Sequence, residues 1–91
     1  GGDTLLAEVE APEAAEGEER SRRERRLSFY RRAEFQDAGF DCLVFGVHYR
    51  MLAAGPGDPA AWLEAYRALY REQLPRGVYE TFVKIPWNRP D

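Results

Sequence analysis

Arg26-Leu27-Ser28-Phe29-Tyr30-Arg31-Arg32-Ala33-Glu34-Phe35 is the stretch on which the reading of this chain turns. It joins the end of an arginine-rich helix, through an aromatic pair, to the start of an apolar, strand-like segment. Leu27, Tyr30 and Ala33 fall on one face at helical spacing. A tyrosine at such a junction can sit where a helix meets a sheet, its ring packed and its hydroxyl facing a cleft.

Upstream, residues 4–10 read as a short strand, with Leu5, Ala7 and Val9 on one face and Leu6 on the other. Ala11-Pro12 ends it, because proline restricts the residue before it to extended geometry. A connector leads to a helix from about residue 17 to 33. Ser21 and Glu24 form a capping box if that helix starts late.

Downstream, Leu43, Phe45, Val47, Tyr49 and Met51 alternate with Cys42, Val44, Gly46, His48 and Arg50. This period of two fits one long strand, or better a hairpin with arms at 35–43 and 47–53. Gly39 or Gly46 then supplies a bulge or turn. Gly55-Pro56-Gly57-Asp58-Pro59 breaks the pattern and starts a helix, with Asp58 as N-cap and Pro59 at the first helical position. Trp62, Leu63, Tyr66, Leu69 and Tyr70 recur at three- and four-residue intervals through Leu74, a wide apolar stripe. Pro75 stops it. Val78, Phe82 and Ile85 fit a further helical turn or two, and Thr81-Phe82-Val83 also suits a strand; residues 86–91 are a tail. The expected fold class is α/β (α+β): strand, helix, antiparallel hairpin, then one or two C-terminal helices, with 1–91 a single domain and 54–91 its helical extension.

The 91 residues are 44% hydrophobic and 13% aromatic, which is not a disordered composition. Met51 is the only methionine and the chain opens on Gly1-Gly2, so we expect the C-terminal part of a longer product, and hence a partial domain. No apolar run marks a signal peptide in residues 1–35, and none of about 18 residues marks a membrane helix. One cysteine, Cys42, excludes an internal disulfide, and one histidine, His48, leaves no His/Cys cluster for zinc. A cytoplasmic protein without a metal is the default expectation. Net charge is −3, but Glu8, Glu10, Glu13, Glu16, Glu18 and Glu19 precede Arg20, Arg22, Arg23, Arg25, Arg26, Arg31 and Arg32. Acids at a helix start and cations at its end complement the helix dipole. A solvated helix explains this block, and attraction to a polyanion is the sharper reading.

The order strand, helix, Phe-Tyr near the helix end, then hairpin resembles the C-terminal half of the GNAT acyltransferase superfamily. Residues 29–35 are similar to that family's Phe-Tyr-x-x-x-Gly-Phe segment. Arg25-Arg26 before it, and Val47-His48-Tyr49-Arg50-Met51-Leu52 after it, resemble a subset of bacterial members. The resemblance covers roughly residues 4–53. It implies an N-acetyltransferase that moves an acetyl group from acetyl-CoA to a primary amine by direct attack in a ternary complex. It implies Tyr30 as the general acid that protonates the departing thiolate, and Arg23, Arg26 and Phe29 as contacts to acetyl-CoA.

Three departures accompany the resemblance. Glu34 takes the usual glycine position, where a left-handed residue is often needed, at a cost of about 1 kcal/mol. Arg23 stands seven residues before the tyrosine, where many members carry asparagine. No Arg/Gln-x-x-Gly-x-Gly pattern occurs in these residues, and Gly55-Pro56-Gly57 is no substitute, because proline has no N–H to donate to a pyrophosphate.

Other residues read as structural. His48 fits a satisfied or exposed histidine, Asp37 and Asp41 turn or strand-edge carboxylates, and Cys42 a buried thiol. Two further functions stay open. One is a non-catalytic module that pairs with another chain, forming a homo- or hetero-oligomer through its first strand and the stripe from Trp62 to Leu74. The other is nucleic-acid binding by the arginine helix, against which the flanking glutamates and a pI near 5.2 weigh.

Overall fold

The computed structural model describes residues 3–88; Gly1, Gly2 and the tail residues Arg89, Pro90 and Asp91 lie outside the described residues. Strand β1 (Leu5–Glu10) leads through a short 3-10 helix (Pro12–Ala14) to helix α1 (Gly17–Arg32). Strands β2 (Gln36–Val44) and β3 (Val47–Ala54) follow, then helices α2 (Pro59–Gln73) and α3 (Arg76–Phe82) and the two-residue strand β4 (Val83–Lys84). The strands form one antiparallel sheet in the order β1-β3-β2-β4.

The hairpin is the expected one, and it uses both glycines. Phe45 and Gly46 have φ of 49° and 82°, the two positive values that a two-residue turn matching strand twist requires. Gly39, at φ 91°, lies in the register shift between Asp37 and Asp41, a bulge in β2.

Side chains alternate across β3, and both faces are covered. Met51 and Ala53 join Ala38, Cys42 and Val44 against Trp62 and Tyr66 of α2, with Val83 and Ile85 closing the edge. Leu52 points the other way, joining Val9 and Leu27 of α1, with Ala7, Tyr30 and Phe35 packed alongside. Each fully buried aliphatic side chain contributes about 1.5–3 kcal/mol relative to exposure. Leu5 shares the α1-side parity of Ala7 and Val9 but remains 60% exposed.

Helix α1 starts at Gly17, as expected, after Glu16 and with no side-chain cap, so Ser21 and Glu24 form no capping box there. Two expectations change. Ile85 lies beyond α3 rather than on it: the helix ends at Phe82 and the chain turns extended into β4. The stripe on α2 is not free for a partner, because Trp62 and Tyr66 are 6% and 4% exposed beneath the sheet.

Asp58 caps α2 as read, accepting from Ala61 N at 2.8 Å, with Pro59 opening the helix. The preceding loop is locked by Trp62 Nε1, which donates to the Pro56 carbonyl at 3.1 Å. Gly57 has φ 120°, and a Cβ there would lie 2.5 Å from that indole nitrogen. Gly57→Ala is therefore expected to lower unfolding free energy by about 2–3 kcal/mol in urea titration, combining left-handed strain with displacement of the indole.

Candidate functional site

The end of α1 is built by its carbonyls. Glu34 N–H donates to Arg31 O at 3.1 Å and Phe35 N–H to Tyr30 O at 3.0 Å, while Glu34 adopts φ 69°. This is a Schellman ending, with the left-handed position filled by glutamate rather than glycine. Its customary hydrophobic contact is present: the rings of Tyr30 and Phe35 meet edge to face at 5.1 Å. Phe29 closes the other side of Tyr30 at 5.7 Å, and the Arg26 guanidinium lies 5.9 Å from the Tyr30 ring centroid. The departure at Glu34 therefore leaves the helix ending intact.

Tyr30 is half-buried, and its hydroxyl is neither hydrogen-bonded nor buried among the described residues. It packs against the buried cluster of Val9, Leu27 and Leu52. Strand β1 pairs only with β3 among the described residues, so its second edge is open.

The residues expected around Tyr30 do not converge as a set. Arg23 is held internally: Nη2 reaches Glu10 at 2.8 Å, Nε reaches Glu19 at 3.4 Å, and Nη1 donates to the Ala11 carbonyl at 3.1 Å. It fastens the end of β1 to α1. Arg26 makes no ion pair among the described residues, and Phe29 is 60% exposed.

A second cluster was not visible in the sequence. His48 is 6% exposed, with Nε2 2.7 Å from Asp41 Oδ2 and its ring edge-to-face with Trp87 at 4.8 Å. Trp87 N–H donates to the Asp41 carbonyl at 2.9 Å. Arg50 pairs with Glu13 of the 3-10 helix and lies 3.7 Å from Asp41 Oδ1. Glu13, Asp41 and His48 bring one ligand atom each to within 4.8 Å of one another, a set able to hold a metal. Arg50 already supplies the positive charge, and a divalent cation would have to displace its guanidinium. Only the alternation that places His48 and Arg50 on one face of β3 hinted at this cluster.

Cys42 heads a polar chain that runs from the core to the surface: its thiol lies 4.0 Å from the Tyr66 hydroxyl, and the Tyr70 hydroxyl donates to the exposed Glu8 at 2.8 Å. Burial pushes the Cys42 thiol up to about 12, and the Tyr66 contact only partly offsets this. Burial also pushes Tyr66 upward, and Tyr70 to about 12. A thiol this hard to ionise is a poor nucleophile, in keeping with a structural role.

No described helix is long and apolar enough to cross a membrane. Comparison with protein-family models, with curated proteins and with solved structures gives no match.

Two measurements follow from this geometry. Glu34→Gly relieves the left-handed backbone at the helix ending and is expected to raise stability by roughly 0.5–1 kcal/mol in urea titration. Because the folded state holds the Cys42 proton more tightly than the unfolded chain, its contribution is complete below about pH 9. It declines as pH rises towards 12. Stability should fall across that window, and Cys42→Ala should flatten the slope.

Proposed function

We propose that this domain is the C-terminal portion of a GNAT-type N-acetyltransferase, acting on a primary amine with acetyl-CoA as donor. The observation that carries the reading is Tyr30: a ring clamped by Phe29 and Phe35 at a helix end, with an unbonded hydroxyl, in a fold whose first strand keeps one edge open among the described residues. The amine nitrogen attacks the thioester carbonyl carbon, and the carbon–sulfur bond breaks with its electron pair going to sulfur. Tyr30 gives its proton to that sulfur, and the proton lost by the amine returns to the phenolate through solvent. Phenols and thiols are close enough in acidity for this transfer to be inexpensive. Arg26, unpaired beside the tyrosine, is available to a phosphate of the donor; Arg23 is engaged elsewhere. The pyrophosphate cradle has to come from outside residues 1–91, since these hold no glycine-rich loop.

A non-catalytic interaction module is the second reading, favoured by the open edge of β1, a template for an added strand. Calorimetric titration of acetyl-CoA into the polypeptide that carries this domain separates the two. Saturable heat is expected below millimolar donor; its absence at millimolar donor would leave only the interaction module. Tyr30→Phe is expected to lower kcat by about 100-fold while changing KM for acetyl-CoA less than threefold. Unchanged kcat would remove Tyr30 from the chemistry.

A further inference from the structure

The outward side of α1 carries charge that nothing in the fold uses. At 100° per residue, Arg25, Phe29 and Arg32 lie within about 40° of the direction opposite Leu27, the residue that α1 buries against the sheet, with Ser21 and Ser28 on the flank of that side. All five are exposed, Phe29 at 60%. The glutamates that made the helix look neutral in sequence are engaged on its flanks: Glu19 by Arg22 and Arg23, and Glu24 by Arg20 at 3.1 Å. Arg25, Arg26 and Arg32 have no ion-pair partner among the described residues. Glu18, seven residues before Arg25, marks the acidic limit of this side.

We propose that this crest is a binding surface for single-stranded nucleic acid, independent of the acetyltransfer reading. Arg25 and Arg32 stand about 10 Å apart along the helix, with the Ser28 hydroxyl between them, a track for successive phosphates. Every cation on α1 is arginine, whose planar fork binds phosphate in bidentate fashion. Phe29 sits beside this track and, though it touches Tyr30, is exposed enough to meet an unstacked base, which a duplex does not present. The hollow lined by Ser21, Glu24, Arg25, Ser28 and Arg32 is open and holds about 470 Å³. It is too shallow to enclose a small nucleotide in the way small-molecule sites do, whereas a strand gains from repeated contacts. A lipid surface fits less well, because Phe29 is the one large apolar side chain on this side.

The test is fluorescence anisotropy of a labelled 12-nucleotide single-stranded RNA, and of a duplex of equal length, with the polypeptide carrying this domain in 50 mM salt. Saturable binding of the single strand below about 100 µM is expected, tighter than the duplex. The double variant Arg25→Glu/Arg32→Glu should weaken binding at least 30-fold and reduce the salt slope by about 1.4, at roughly 0.7 per phosphate. Phe29→Ala should weaken it about tenfold. Arg76→Glu, a charge reversal on α3, should stay within twofold. All four side chains are exposed, and thermal melts verify that the variants are folded. Absence of saturable binding, equal weakening by Arg76→Glu, or duplex preference with Phe29→Ala silent would each overturn the proposal.

Discussion

The whole domain depends on β3 having no face and no edge left for water. It is paired on both sides, by β1 and β2, and Met51, Leu52 and Ala53 are successive residues with no exposed surface. Consecutive buried residues on a strand demand a cover on each face, since their side chains alternate. Helix α1 and helix α2 are those covers. Everything else, including the tight loop at Gly55–Gly57 and the extended return through Val83 to Ile85, arranges that α2 can lie where Met51 and Ala53 need it.

The two covers are held very differently. Under α2 lies a broad apolar cluster with a polar chain that runs from buried Cys42 through Tyr66 and Tyr70 to exposed Glu8. Under α1 the apolar contact is narrow, with Leu27 as its one buried side chain. Polar ties compensate: Arg23 fastens the helix to the end of β1, and the ending around Glu34 and Phe35 fixes its far turn. The outward side of α1 is thereby released from any packing duty, which is why exposed arginines and a bare phenylalanine can persist there.

Local signals in the sequence carried most of the fold. Alternation located the hairpin, proline and glycine located its breaks, and Asp58-Pro59 located the start of α2. The boundary of α1 was harder, because Glu16 and Gly17 make no side-chain cap and Ser21 with Glu24 offered a plausible one. The candidate site divides along the same line. Tyr30 was legible because its position follows from contacts within six residues. The fate of Arg23 was not, since Glu10 and Ala11 reach it from another element. His48 and Asp41 each read as an ordinary strand residue, and nothing local to either announces that Glu13, Arg50 and Trp87 gather around them.

The sheet order also sets the chain closure that each pairing requires. The β2–β3 pairing spans a two-residue turn, so it closes with little loop entropy. Pairing of Leu5 with Ala54 must instead close nearly the whole length between them. The hairpin is the local unit, and β1 docks on it across a long chain closure. Departure of β1 takes Val9 from Leu27 and Leu52 and frees Arg23 from Glu10, so α1 loosens in the same event.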